Sequence, residues 1–222
     1  MKLLKELYTT HSPTFKETLA PIVQKELENL GISYSVDKEG QIYNEDNKGP
    51  LLASHMDQVQ RKKAEFIILE RGDLYGVNKK GSLTGLGADD KNGVWIMLQL
   101  LKAFPETNFI FSTGEEAGGN IQNLLRTLNL ENVNFGLVFD RKGGKDIVGL
   151  QNNYCEEDLM DALIMLGGGE YEEARGTFSD CDHMNKYMPC VNISCGYYNA
   201  HTDKEYTHIS YLEKAKDFGW TI

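Results

Sequence analysis

Ionisable side chains stand at the ends of apolar runs in this sequence, and their types suit a divalent cation. The run LLASHMD ends in His55 and Asp57, separated by one residue. NFIFSTGEE ends in Glu115 and Glu116, FGLVFD in Asp140, and VNISCGYYNAH in His201. Between the first two runs, the glycine-rich GLGADDKNG presents Asp89 and Asp90. Imidazoles and carboxylates are ligands of zinc, and a catalytic zinc takes three of them while keeping one position open. Two ions that share one carboxylate need two histidines, two terminal carboxylates and one bridge, and the candidates supply that number.

Each piece has a plainer reading when taken alone. An H-x-D at a strand end more often caps a loop, and GEE is often a solvated turn. The Asp pair suits a helix N-terminus, Asp140 has Arg141 and Lys142 beside it, and a lone histidine such as His201 is more often a satisfied core or surface group. Their joint placement at successive strand ends favours the metal.

The elements that must position these residues can be read from periodicity and punctuation. Residues 2–9 read as a short helix, and HSPTFKETLAPIVQKELENLG as a longer one. In the longer helix Ser12 is the expected N-cap, Pro13 the first helical residue and Gly31 the stop, with Pro21 as a kink or break. ISYSV and QIYNE read as strands joined by DKEG, and AEFIILERGDLYGV as a hairpin turning at RGD. In GVWIMLQLLKAF, Val94, Met97, Leu98, Leu101 and Phe104 recur at helical spacing. IQNLLRTLNL, CEEDLMDALIML and the tail from Ser210 read as further helices, and MPCVNISCGYYNAH as a late strand. Strands alternating with helices from residue 50 onward predict an α/β fold, a three-layer sandwich about a mostly parallel or mixed sheet. Sites in such folds lie outside the carboxyl ends of the strands. Without repeat or linker, residues 1–222 are expected to form one catalytic domain.

Composition narrows the function classes. With 33 acidic against 23 basic residues, the formal charge is −10, which argues against a nucleic-acid surface. No apolar run of about 18 residues occurs, so neither a signal peptide nor a membrane span is expected. Cys155, Cys181, Cys190 and Cys195 form no CxxC and read as free, buried thiols. The expected location is the cytoplasm.

SHMD, GLGADDKNG, STGEEAGG, FDRKGG and GYYNAHTDKEY fall, in that order, as in the co-catalytic dizinc exopeptidase superfamily. The resemblance covers about residues 50–210, and GADDK and HTDKEY look most like the peptidase T side, near the deblocking aminopeptidases. It implies the phosphorylase/hydrolase-like α/β/α fold and two Zn2+ per chain, with Mn2+ or Co2+ able to use the same ligands. Carried over by position, His55 and Asp140 would hold one ion, Glu116 and His201 the other, and Asp89 would bridge them. Asp57 would orient His55 from behind, a common carboxylate–histidine arrangement, and Glu115 would be the general base for a metal-activated water. In TFSDCDHMNKY, the related enzymes place a Ser-Asp near the substrate pocket, which makes Asp180 a candidate for the substrate's amino group, against the alternative of a helix N-cap. His183 reads as a pocket or surface residue rather than a ligand.

The implied activity is amide hydrolysis, an aminopeptidase acting on small peptides. Alternatives are an amidohydrolase for N-acyl or peptidoglycan-type amides, a single-metal acyl transferase, and a non-catalytic binding protein on the same fold. One departure stands out. The peptidase T and carboxypeptidase G branches carry an inserted lid domain, whereas only 60 residues separate Asp140 from His201 here. Without a lid, the site is expected to be more open or to gain walls from a homo-oligomer.

Overall fold

The computed structural model describes residues 1–222 apart from 15, 17, 45 and 46. The helices are α1 (Lys2–Thr9), α2 (Ala20–Leu30), α3 (Ala88–Ala103), α4 (Ile121–Leu125), α5 (Glu157–Leu166), α6 (Cys181–Met184) and α7 (Ile209–Gly219). The strands are β1 (Ser35–Val36), β2 (Ile42–Tyr43), β3 (Gly49–His55), β4 (Phe66–Glu70), β5 (Asp73–Val77), β6 (Asn108–Ser112), β7 (Val133–Arg141), β8 (Asp146–Val148), β9 (Glu172–Glu173), β10 (Cys190–Ser194), β11 (Tyr197–Tyr198) and β12 (Tyr206–His208).

The main sheet runs β1-β2-β6-β3-β7-β10-β8-β9. Its centre, β6-β3-β7-β10, is parallel, and β1, β2 and β8 add antiparallel pairings. Apolar residues fill these central strands without a polar face because both faces are covered. Leu52, Phe109, Phe111, Leu137 and Phe139 point to the side packed by α1, α2, α3 and α7. Leu51, Ala53, Ile110 and Val138 point the other way, onto α4 and α6. Alternation along each strand thus feeds two cores, and the α/β architecture with a mixed sheet matches the sequence expectation.

A second, antiparallel sheet, β11-β12-β5-β4, was not foreseen. The predicted hairpin at RGD exists as β4 and β5, with Arg71 and Gly72 at positive φ in its turn, but it pairs with β12 rather than joining the main sheet. The late strand divides accordingly. β10 stays in the main sheet, the chain turns at Cys195-Gly196, and β11 enters the second sheet.

Helix α2 begins at Ala20 with Leu19 as its N-cap, seven residues later than a Ser12 cap and Pro13 start predicted. Pro21 lies in its first turn, the one helical location where a missing N–H costs nothing. Ser12 is buried instead, its N–H and hydroxyl both donating to Gln58 Oε1 at 3.1 Å. The Phe15 and Glu17 part of that prediction, and the Glu45 end of QIYNE, lie outside the described residues. Gly31 ends α2 in the left-handed conformation, as expected. The four cysteines are free and buried. Among the described residues no helix is long and apolar enough to cross a membrane.

Candidate metal centre

The parallel register brings three of the candidate runs to one edge. His55 on β3 pairs with Ser112 on β6, so the Glu115-Glu116 turn follows directly beside it. On the other side Ala53 pairs with Val138, which puts His55 and Asp140 level two residues further on. Asp89 arrives from the start of α3, where Asp89 and Asp90 have non-helical dihedrals and the peptide between them is cis. Gly87, just before, has φ +64° and lies against Gln58 and Lys91, where a Cβ would collide with both side chains. Helix α3 then sits close on β7, since a Cβ at Gly93 would meet the Phe139 carbonyl and the Asp90 carboxylate. His201 comes from the loop between β11 and β12, at φ +64°, not from a main-sheet strand end.

These side chains converge. Asp89 directs Oδ1 to His55 Nε2 at 3.2 Å and Oδ2 to His201 Nε2 at 3.1 Å. Asp140 Oδ1 lies 3.6 Å from His55 Nε2, and Glu116 Oε2 lies 3.1 Å from His201 Nε2. Two His–carboxylate groups therefore share one carboxylate. Ligand atoms of His55, Asp89 and Glu116 lie within 4.8 Å of one another, as do those of His55, Asp90 and Asp140. Glu115 Oε2 stands 3.8 Å from His55 Nε2, while its backbone N–H donates to Asp57 Oδ1 at 3.2 Å. His55 Nδ1–H donates to the Asp57 carbonyl at 3.0 Å, with the Asp57 carboxylate further off at 3.6 Å. The backbone of Asp57 is thus the nearer partner, and its carboxylate ties His55 to the Glu115 turn.

Electrostatics tells the same story of crowded acids. Burial pushes Glu115 up to about 9, with Asp140, Asp180 and Glu116 adding to it against the pull of His55. Burial and Asp89 raise Asp140 to about 7. His201 is lifted to about 10 by its bonds to Asp89 and Glu116. For His55, burial opposes the charge, but Asp140, Asp57 and Asp89 outweigh it and raise the imidazole well above its ordinary value. Asp89 feels the same burial, yet His201 and His55 hold it below the usual carboxylate range. Glu116 Oε1 and Asp57 Oδ2 are buried with no hydrogen-bond partner among the described residues. A buried carboxylate oxygen that lacks a partner is expensive, and a divalent cation beside Glu116 and Asp89 would satisfy both the charge of these acids and the orphaned oxygen of Glu116. The donor set fits such ions.

Several residues around the site take roles that the sequence did not assign to them. Asp90 comes close enough to join the His55–Asp140 group, but its oxygens are committed. Oδ2 accepts from Ser54 Oγ at 2.6 Å and from the His55 N–H at 3.3 Å, and Oδ1 accepts from the Gly93 N–H at 3.1 Å. It braces the end of β3 against α3, and the doubled Asp was the only sequence trace of it. Asn192 clamps Asp140, accepting its N–H at 3.0 Å and donating to its carbonyl at 3.2 Å. Tyr197 Oη lies 3.3 Å from Asp140 Oδ1. Arg141 turns away to Asp146, with two N–H donors at 2.9 and 3.0 Å, and leaves Asp140 to the site.

A cavity of about 210 Å³ opens over the cluster, lined by Asp89, Glu115, Asp140, Phe178, Tyr197 and His201. Asp180 does not line it. That side chain is 1% exposed and accepts from Ser112 Oγ at 2.6 Å, behind the Glu115 turn, and makes no side-chain cap to α6. His183 is buried beside it, its Nε2–H donating to the Gly118 carbonyl at 3.1 Å.

Comparison by sequence finds no matching protein-family model and no similar curated protein. Solved structures do match. Aminopeptidase PepT from Bacillus cereus aligns with a TM-score of 0.79 at 14% identity, over 99% of this chain and 96% of that one. The TET1 peptidase of Pyrococcus horikoshii aligns at 0.73 and 15%, over 99% and 98%. A tripeptidase from Staphylococcus aureus aligns at 0.73 and 15%, over 98% and 95%. The chain has the fold of these peptidases. At such identities the likeness is one of fold, and chemistry must be argued from the site itself.

Proposed function

We propose that this chain is a dinuclear metallohydrolase that cleaves amide bonds, an aminopeptidase acting on small peptides. One observation carries the reading: the two oxygens of Asp89 face two different imidazoles, with the carboxylate of Glu115 beside them. His55 and Asp140 would hold one ion, His201 and Glu116 the other, and Asp89 would serve both. Zinc suits this mix of imidazole and carboxylate, and Mn2+ or Co2+ would be accepted in its place. When bound, such a pair supplies a Lewis acid for the scissile carbonyl and lowers the pKa of water toward about 7.

The chain's own groups do the rest. Glu115 takes the proton of the attacking water and returns it to the nitrogen of the departing amine as the C–N bond breaks. Asp57 fixes the Glu115 turn through the backbone N–H and holds the His55 tautomer through its carbonyl. Tyr197 and Asn192 keep Asp140 in place. The cavity is smaller than the roughly 300–1,000 Å³ typical of ligand sites, which suits a short substrate. The whole chain would act as one catalytic domain. The TET1 peptidase is described as assembling into a tetrahedron or an octahedral shell, and a homo-oligomer here would wall an otherwise open site.

The test is a metal-replete hydrolysis screen of free-amine peptides against N-acylated and peptidoglycan-type amides, with Glu115→Gln as control. Turnover of free-amine peptides that disappears in the variant supports the reading. Turnover of blocked amides alone would shift it to an acyl amidohydrolase. Metal-free folded protein with no turnover would replace it with a binding protein.

A further inference from the structure

Behind the candidate metal centre, away from the cavity, lies a second set of buried polar groups that the chemistry above does not use. Glu205 is 0% exposed, and Lys91, Gln58 and Gln60 are buried with it. Glu205 Oε2 accepts the backbone N–H of Leu86 at 3.0 Å and of Ala88 at 2.8 Å, and Oε1 accepts from Gln60 Nε2 at 2.8 Å. Lys91 Nζ donates to the Leu86 carbonyl at 3.0 Å, to the Thr10 carbonyl at 2.7 Å and to Gln58 Oε1 at 2.5 Å. The loop before Asp89 is therefore gripped from both sides, its carbonyl by the Lys91 amino group and its N–H groups by the Glu205 carboxyl group. The Gly85 N–H adds a bond to the Asp203 carbonyl at 2.9 Å.

The three segments joined here carry the site. Gln58 and Gln60 follow His55 and Asp57, Leu86 and Ala88 precede Asp89, and Glu205 follows His201. Their dependence on the network differs. His55 is fixed by β3, which is paired on both sides. His201 sits in a loop, its side chain 52% exposed, and the bonds holding that loop to the Asp89 segment run through Glu205 and Asp203.

Resting on the dinuclear reading, we propose that Glu205 is a positioning residue: by hydrogen bonding to Leu86 and Ala88 it sets how Asp89 and His201 face each other, and so the affinity of the His201–Glu116 ion. Glu205 touches neither ion nor substrate. Its role is acceptance of the Leu86 and Ala88 N–H groups by one oxygen, which the single oxygen of a glutamine retains and an alanine does not.

Zn2+ titration by calorimetry of the metal-stripped full chain, with thermal melting alongside, tests this. Wild type is expected to bind two ions. Glu205→Ala should weaken one of them about 10–100-fold, the usual effect of removing an outer partner, with the other unchanged, and Glu205→Gln should restore the weakened ion to within a few-fold. If Glu205→Ala does not fold, Gln60→Ala, which removes the partner of the other oxygen, should weaken the same ion in the same direction. The inference is overturned if the variants bind both ions as wild type does, if both ions weaken together as the melting temperature falls, or if Glu205→Gln behaves like Glu205→Ala. Wild type that binds no zinc would instead overturn the dinuclear reading, and this inference with it.

Discussion

Glu115 and Glu116 are adjacent, yet their surroundings divide them. Glu116 points to His201 at 3.1 Å, while Glu115 stands at the cavity wall without a comparably close cation. Glu115→Gln is expected to lower kcat by about 10²–10⁴-fold, the usual contribution of a general base, while elemental analysis still finds two ions per chain. His201→Ala should lose one ion and most activity in the same two measurements. The acidity of the site gives a pH prediction with a definite sign. Without metal, Glu115 at about 9 and His201 at about 10 hold protons at neutral pH, and Asp140 at about 7 holds one part of the time. Metal requires the ligands among them deprotonated. Binding should therefore release protons, and apparent affinity should rise from pH 6 to pH 9, as calorimetry in buffers of different ionisation heat would show. At this scale, much of the cluster was visible in the sequence, because His55, Glu116 and Asp140 end or follow apolar strands. Asp180 was harder to place. Whether an Asp after a Ser faces a pocket or the back of a turn depends on packing that its neighbours in sequence do not reveal.

Helix α3 and strand β7 carry Asp89 and Asp140, and at Gly93 they pack so close that a Cβ would meet the Phe139 carbonyl. Gly93→Val should push the helix off the sheet, costing about 1–3 kcal/mol as overpacking does, and should weaken metal binding as well. Urea unfolding and zinc titration of the same variant check both. The glycine-rich loop and helix of α3 could be read from GLGADDKNG and its periodic apolar residues. Helix α2 was misjudged because Ser12-Pro13 imitates a helix start, whereas the buried amide of Gln58 claims Ser12. The second sheet left no periodic mark, since β11 and β12 are two and three residues long. That is why His201 was expected at a strand end and is found in a loop. The Glu205 network was equally hidden: its glutamines and lysine look solvated until the three segments are packed together.

Across the molecule, the central parallel strands gather distant side chains at one rim, the general location of sites in such folds. The formal charge of −10 includes this buried acid cluster, so cations that bind only the folded chain should stabilise it. At a free metal concentration 100 times Kd, that linkage gives about 2.7 kcal/mol. For a chain of this size each kcal/mol moves the melting temperature by about 2–4 °C. Chelation should thus lower the melting temperature by roughly 5–10 °C, and returning zinc should restore it.

The most direct test is anomalous diffraction at the zinc edge from crystals of the zinc-loaded chain. Two peaks about 3.5–4 Å apart, on either side of the Asp89 carboxylate, one against His55 and Asp140 and one against His201 and Glu116, are predicted. A single peak, or peaks away from Asp89, would contradict the dinuclear site.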